Sequence, residues 1–463
     1  MTDPTDPTPP PGVDRAEGPD LSWHPVVDVV EPVVVEPVVA EPAPAGRHAV
    51  AWIGPWARSK AFVVRQGRAI ADDPVRATEA VFSLLVVGIC TAYVIGALHP
   101  TELLRNTTPT GGDMGAHVFG PDYLLHHLLP KGRLSGWTPA WYDGFPLYQF
   151  YMVVPSLFVV ALTVGVKGLL AIPAVLAALG LAGSGWCRER LYRARRVLLV
   201  AGLIVLVLVV PIPYNISFKL VTVLGLVALP VVAWAFGKLC DLPFPVPPLC
   251  SLAAMLFIFN REPLYQGYGN IIGGNMTSTM AGEFAFSISL TFALLYLGVA
   301  VRGLRTGKHR GLAAVLFALA GLCHLIPAFF VLACTALLFL LHPSKARAKW
   351  LATMAPVGGL LTAFWVVPFY LRADFVNDMG WEKLPVPVNV PTTGTPAVGT
   401  KAAASGHIWY YLLPEHLWVF MAIAVVGILV SILLRHTVGL VLGGAWALVW
   451  IAFRWLPQAR LWN

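Results

Sequence analysis

Charged residues are scarce in this sequence: they make up 12% of the chain, whereas hydrophobic residues make up 57%. The mean hydropathy of +0.71 lies far above that of an ordinary soluble domain. This composition argues against a water-soluble globular protein and predicts a polytopic membrane protein. Because backbone N–H and C=O groups in lipid must be satisfied within their own segment, we expect an all-α protein whose spans are helices.

Cysteine is also rare, with six residues in the chain, and their spacing does not match a metal site. They lie in or beside apolar runs, where cysteine acts as a small packing residue. A basic segment followed by a short apolar run is missing from the N-terminus, so no signal peptide is predicted.

Acidic residues are few outside the first 45 positions, which hold nine acids and one arginine and leave 31 bases against 15 acids elsewhere. A basic surplus is one mark of nucleic-acid binding. Here, however, the bases flank apolar runs, which is typical of topology control and of contact with anionic lipid. We therefore expect membrane lipids, and no nucleic acid, as partners.

The sequence divides into three parts. Residues 1–46 repeat valine, glutamate and proline and are predicted to be a disordered cytoplasmic tail, because they cannot bury a core. Residues 47–78 mix tryptophan with arginine, which predicts a cytoplasmic interfacial segment. Residues 79–463 form a membrane domain of about 11 transmembrane helices, counted from apolar windows about 20 residues long. The clearest windows are Ala80–Leu98, Leu220–Gly237, Phe284–Val301, Trp350–Leu371, Leu417–Leu434 and Thr437–Phe453.

The distribution of lysine and arginine predicts the orientation of these helices. With a cytoplasmic N-terminus, the inner loops collect nineteen such residues and the outer loops ten, which satisfies the positive-inside rule. The outer loops are then 99–149, 261–283 and 372–416. The run Gly311–Leu341 has bases on both flanks, so it is predicted to be a hairpin of two short helices that turns at the outer side between His324 and Pro327. The chain ends just beyond a span, which indicates a fragment truncated at its C-terminus.

The stretch Gly111–Tyr151 in the first outer loop is rich in polar and aromatic residues. Asp113 follows two glycines and precedes His117 by four residues, so both side chains share one face if a helix begins here. Asp113 is therefore the first candidate for a catalytic acid or base. The alternative is that Asp113 only caps the helix and that His117 is an interfacial residue. His126 and His127 lack a further partner at metal-ligand spacing.

Several other residues are candidates for substrate binding. A carboxylate beside a span, as at Glu283, is costly unless it is paired or solvated. It is either functional, or paired with Arg261, or stabilising a helix start. His324 precedes Pro327 and fits a hairpin turn as well as a site. Aromatic side chains in the first loop form a membrane-interface belt or bind sugar rings. The substrate-binding set is His117, Glu283, His324, Arg261, Tyr142 and Asp143; no metal ligand is assigned.

The motifs of this chain resemble those of a known group of membrane proteins. The outer loop with GGDMGAH and WTPAWYDGFPLYQFYMVVPS resembles the large first outer loop of GT-C glycosyltransferases. More closely, the chain is similar to the actinobacterial membrane proteins labelled 6-pyruvoyl-tetrahydropterin-synthase-related. The motifs that carry this similarity, from about Ala80 to the end, are GDMGAH, DGFPLYQFY, FKLVTVLGLVALP, GGNMTSTMAGEFAFSISL, HLIPAFF and PQARLWN.

This resemblance implies a GT-C fold and an inverting glycosyltransferase of the cytoplasmic membrane. Such an enzyme takes a sugar from a polyprenyl-phosphate carrier and adds it to a cell-envelope glycan or lipid outside the membrane. The family's catalytic acid maps onto Asp113. Many members carry two adjacent acids there, whereas Gly112 precedes Asp113 here, which leaves a second carboxylate and a divalent metal open. Arg261, Lys131 and Arg133 are candidates to stabilise the leaving phosphate.

Two other functions fit the hydropathy profile. A transporter or lipid flippase places its charges in the middle of the membrane and shows inverted repeats, whereas the candidates here lie at the outer rim. A catalytically inactive scaffold or a truncated enzyme is the other alternative. The sugar, the acceptor and the linkage have no signature in the sequence.

Overall fold

The structure is a computed structural model that describes residues 73–140, 143–165, 211–260, 273–376 and 418–455. The predicted tail 1–46 and nearly all of the segment 47–78 lie outside the described residues. So do Arg261, Tyr142 and most of the loop 372–416.

The described residues are mostly helical. The α-helices of five or more residues are α1 (Pro74–Ala97), α2 (Pro100–Leu104), α3 (Met114–Tyr123), α4 (Val154–Val164), α5 (Tyr214–Leu239), α6 (Val246–Ile258), α7 (Phe284–Thr306), α8 (Arg310–Cys323), α9 (Leu325–Leu341), α10 (Lys345–Tyr370), α11 (Trp418–Leu433) and α12 (Thr437–Trp455). Shorter helical turns are Leu124–Leu128, Leu129–Lys131, Met276–Ser278, Thr279–Glu283 and Ala373–Phe375. Two short antiparallel strands, β1 (Gly136–Thr138) and β2 (Phe145–Leu147), pair with Trp137 opposite Pro146.

Four helical stretches among the described residues are long and apolar enough to cross a membrane. They are α1, α5, the stretch Met276–Thr306 that includes α7, and α10. The shorter apolar helices are α4, α6, α8, α9, α11 and the part Thr437–Val449 of α12. Many large apolar side chains of α1, α10 and α11 are exposed, as expected of helices that face lipid. These apolar helices support the predicted membrane character, while the count of about 11 spans stays a prediction.

Helices α5 and α7 lie at the centre of the bundle. Both carry long runs of buried residues, and α1, α4 and α6 pack against α5, while α8 and α9 pack against α7. The two central helices approach closely at Gly225, where a Cβ atom would lie 2.3 Å from the carbonyl carbon of Ser287. Glycine is needed here because any side chain would push the two backbones apart.

The predicted hairpin 311–341 consists of α8 and α9, which meet at His324. This residue has an extended backbone, and its Nδ1 accepts a hydrogen bond from the backbone N–H of Ile326 at 3.3 Å. Ser289 of α7 donates through Oγ to the carbonyls of Ala320, at 2.8 Å, and His324, at 3.0 Å. At the break between the two helices, His324 therefore caps the start of α9, and Ser289 binds carbonyls at the end of α8.

The two ends of the bundle are defined by different contacts. At one end, the Nε1 of Trp350 donates to the carbonyl of Lys308 at 2.8 Å and joins the start of α10 to the loop before α8. At the other end, Met114, Phe284, Cys323 and Trp365 share one buried cluster. We call these the Lys308 end and the Asp113 end. The cluster attaches α3, and with it the first polar loop, to the helix ends that carry Glu283 and His324.

Candidate functional site

Asp113 lies at the N-terminus of α3 with its side chain exposed. It occupies the N-cap position, but its carboxylate makes no capping hydrogen bond. The side chain of Asp113 therefore does not act as a helix cap, although the residue lies at the cap position. Among the residues that the structure describes, Asp113 forms no ion pair, so its carboxylate is available to a substrate.

Gly112 and Gly282 bring Asp113 against the turn before α7. The backbone N–H of Asp113 donates to the carbonyl of Ala281 at 2.8 Å. A Cβ atom on Gly112 would lie 2.1 Å from that same oxygen, and Gly112 has a φ of 50°. Gly282, with a φ of 129°, faces Asp113 so closely that its own Cβ would lie 3.0 Å from the Cβ of Asp113. Only glycine fits both positions without strain.

Glu283 follows Gly282 and is therefore held beside Asp113. It is partly buried and caps α7 by position, without a side-chain capping bond. Within the described parts of the chain, it too forms no ion pair; its predicted partner, Arg261, lies outside them. The two carboxylates are 170 positions apart in the sequence, and the glycine contact joins them at one end of the bundle.

His117 lies one helical turn after Asp113 and is partly buried. Its ring contacts the rings of Phe284, at 5.1 Å between centroids, and Tyr151, at 5.4 Å. Burial lowers the pKa of His117 below its usual value of 6.5, and the charge of Asp113 offsets part of this effect. A neutral imidazole therefore lies at the site at physiological pH, and it both donates and accepts hydrogen bonds.

Tyr151 completes the cluster; the sequence grouped it with the first-loop aromatics that form a membrane-interface belt or bind sugar rings. Burial raises the pKa of its phenol, and the charges of Glu283 and Asp113 raise it further. The phenol is therefore a neutral hydrogen-bond donor beside two carboxylates. The backbone is held by Trp365 of α10, whose Nε1 donates to the carbonyls of Tyr151 at 3.0 Å and Tyr148 at 3.2 Å.

Asp143, another predicted residue, lies away from this cluster. Asp143 is exposed, in the connection between β1 and β2. This connection lies near the far end of α3, where the hydroxyl of Tyr123 donates to the carbonyl of Trp137 at 3.2 Å. Ten helical residues place that end about 15 Å from Asp113 at 1.5 Å per residue. His324 follows Cys323 of the buried cluster at the Asp113 end, contacts Phe286 at 5.1 Å between ring centroids, and caps α9 through its Nδ1.

Lys131 and Arg133 are farther still from Asp113. Both are exposed and follow the helical turns that continue α3. At the helical rise per residue, Lys131 lies roughly 25 Å along this path from Asp113. Neither cation is near the carboxylate pair, and Tyr142 and Arg261 lie outside the described residues.

Lys219 was not singled out by the sequence, yet it fixes the loop that leads to Asp113. It is 8% exposed, and its Nζ donates to the carbonyls of Glu102, at 2.6 Å, and of Arg105, and to the Oγ1 of Thr107 at 3.4 Å. A buried ammonium group requires such acceptors. The only sequence signal was a lysine at the start of an apolar run, the pattern expected of a buried or interfacial cation.

Comparison of the chain with protein-family models, with curated proteins and with solved structures finds no match.

Proposed function

We propose that this protein is a GT-C-type glycosyltransferase that moves a sugar from a polyprenyl-phosphate carrier to a cell-envelope glycan or lipid, on the outer face of the cytoplasmic membrane. The observation that carries this proposal is the carboxylate of Asp113. It is exposed, it is not used for capping, and it lies beside Glu283 at one end of an apolar helix bundle. A lipid-linked donor matches this position, because its phosphate and sugar lie at the bilayer surface.

Asp113 serves as the general base in this proposal. The hydroxyl oxygen of the acceptor forms a bond to the anomeric carbon, and its proton passes to the Asp113 carboxylate. The bond from that carbon to the carrier phosphate breaks, and its electron pair stays on the phosphate oxygen. Attack from the face opposite the phosphate inverts the anomeric configuration. A positioned base contributes about 10²–10⁴-fold to such a step.

Glu283, His117 and Tyr151 bind and orient the sugar hydroxyls in this proposal. The Glu283 carboxylate accepts hydrogen bonds, the neutral phenol of Tyr151 donates one, and neutral His117 does either. The side chains come from three different parts of the chain, and Trp365 and the glycine contact hold them together. Such support by surrounding groups is what keeps a site in its productive geometry.

The leaving phosphate needs a cationic partner. Because Lys131 and Arg133 are distant, we assign this role to Arg261, which directly follows Asn260. The carbonyl of Asn260 accepts a hydrogen bond from the Nδ2 of Asn275 at 3.2 Å, and Asn275 caps the turn that leads to Glu283. The described segments on both sides of the second polar loop are therefore joined, and Asn275 begins the short turns that end at Glu283, which supports Arg261 over the two other cations.

A divalent metal is the cofactor that the resemblance leaves open. Within the described ranges, no group of three or more histidine, cysteine, aspartate or glutamate side chains is arranged to hold a metal ion. Asp113 and Glu283 alone match only the looser Mg²⁺ pattern, in which one or two carboxylates are completed by water and substrate phosphate. The proposed mechanism therefore routes no step through a metal.

The experiment is transfer by the purified protein in lipid nanodiscs supplied with polyprenyl-phosphate sugars and cell-envelope extract. We expect a glycosylated product whose new linkage has the opposite anomeric configuration to the donor. The same protein in proteoliposomes provides the contrast with a transporter or flippase. Movement of the lipid-linked sugar across the bilayer, with no covalent product in either assay, would contradict the proposal.

A further inference from the structure

Trp137 is a large aromatic side chain that is mostly exposed in the structure. It lies on β1 and is 64% exposed, although its neighbour Thr138 is fully buried. Successive side chains of a strand point to opposite faces, and β1 turns Trp137 outward together with the paired Pro146. A single exposed apolar side chain needs no explanation by itself. Any role for Trp137 must therefore be inferred from the residues around its ring.

The indole ring of Trp137 is held in place from one side. It covers Gly144 so closely that a Cβ atom there would lie 2.0 Å from Cζ2 of the ring, and Gly144 has a φ of 139°. The strand itself is tied to α3 by the hydrogen bond from Tyr123. The ring therefore packs on the backbone of Gly144, while most of the side chain stays exposed. A ring that is already fixed loses little conformational entropy when a ligand covers it.

A carboxylate accompanies this ring. Asp143 precedes Gly144, is exposed, and has a φ of 57°, which is uncommon outside turns. A sugar ring offers polarised C–H groups on one face and hydroxyls around its edge. The negative face of an aromatic ring attracts the C–H groups, and a carboxylate accepts hydrogen bonds from the hydroxyls. Trp137, Asp143 and Gly144, here called the Trp137 face, combine both features.

We propose that the Trp137 face binds a sugar residue of the acceptor glycan, an inference that rests on the proposed function. Because the face lies about 15 Å from Asp113 along α3, the bound residue is not the one that reacts. It belongs to the same glycan chain, some distance from the attacked hydroxyl. The face therefore selects a polymeric acceptor over a free sugar, and it gives Asp143 a role that the main cluster does not.

An anchor in the lipid headgroups is the competing explanation for an exposed tryptophan. The carboxylate of Asp143 disfavours it at an anionic lipid surface, because the negative charges repel each other. The same carboxylate favours a glycan, because it accepts hydrogen bonds from sugar hydroxyls. The test below separates the two.

The test measures binding of soluble oligosaccharides to the full-length protein in nanodiscs, by saturation-transfer NMR. The probes are cellohexaose, a mannan-derived hexasaccharide and an arabinan-derived hexasaccharide. We expect at least one to bind. Trp137→Ala should weaken that binding about tenfold, whereas Trp137→Phe, which keeps an aromatic face, should weaken it at most about threefold. Asp143→Asn should also weaken it, whereas Asp241→Asn, beside Arg305 at the opposite end of α7, should bind like the wild type.

Failure to bind any of the three probes, or equal binding by Trp137→Ala, would overturn the proposal. So would quenching of Trp137 fluorescence by brominated phospholipid, measured as the difference between wild type and Trp137→Phe. Because binding does not require transfer, failure of the proposed function would show separately, as a protein that binds glycan and makes no product. Trp137→Phe also serves as the control for unfolding, because it keeps an aromatic ring at this position and should keep most of the binding.

Discussion

His117 and Tyr151 show how single residues at this site are set by their surroundings. Each is partly buried and each contacts the other's ring, but burial acts on them in opposite directions. It lowers the pKa of the imidazole and raises that of the phenol, because in both cases it disfavours the charged form. Both side chains are thus neutral around pH 7, while Asp113 remains exposed to water.

The lowered pKa of His117 makes stability fall in mildly acidic solution. Below pH 6.5 the unfolded chain takes up a proton at this histidine that the folded chain resists. The free energy of unfolding therefore decreases as the pH falls through that value, so the folded state becomes less stable. We expect the melting temperature in detergent to drop less between about pH 7.5 and pH 5.5 in His117→Phe than in the wild type. An equal drop in the two proteins would contradict this prediction.

The turn Thr279–Glu283 is the element that makes the site possible. It interrupts the long helical stretch before α7, and Gly282 within it has a backbone conformation outside the helical region. This interruption exposes the carbonyl of Ala281 to the N–H of Asp113. A regular helix here would direct that carbonyl along its own axis, so the first polar loop would lose its attachment.

Gly111 and Gly112 provide a matched pair for testing this contact. Both have positive φ, so alanine strains the backbone at either position. A Cβ atom on Gly111 meets open space, whereas one on Gly112 collides with Ala281. We expect Gly112→Ala to lower transfer at least about tenfold by displacing Asp113, since small displacements of reacting groups cost up to about a hundredfold. Gly111→Ala should reduce transfer much less. Equal losses in the two variants would attribute the effect to backbone strain alone.

At the scale of the whole molecule, the sequence predicted the helical membrane character and the helix pair that meets at His324. These follow from apolar length, from flanking bases and from a proline, all of which are local signals. The sequence placed Glu283 in the substrate-binding set of the site with Asp113, but it did not predict the glycine contact that joins them, because that contact depends on how α3 packs on the turn before α7. It also grouped Asp143 with the site, although Asp143 lies near the far end of α3, while the role of His324 stays a prediction. Lys219 and Trp365 were missed because their partners are backbone carbonyls, which leave no mark in a sequence.

The orientation of the bundle is a further property of the whole molecule. The bases at the Lys308 end predict that this end is cytoplasmic and that the Asp113 end faces outward. We expect Ser135→Cys, at the Asp113 end, to react with a membrane-impermeant thiol reagent in intact cells. Lys345→Cys, at the Lys308 end, should react only after permeabilisation. The native cysteines give the background, since the five that the structure describes are buried or partly buried. The reverse pattern of labelling would rule out an outward-facing Asp113.

Transfer by Asp113→Asn in nanodiscs, with a polyprenyl-phosphate sugar as donor, tests the central claim most directly. Asp122→Asn is the matched control, because Asp122 is an exposed aspartate on the same helix, paired with His126. Loss of the base should lower the rate of transfer by about 10²–10⁴-fold, whereas the control should keep nearly the full rate. A rate for Asp113→Asn within about threefold of the wild type would contradict the account, because a general base cannot be removed at so small a cost.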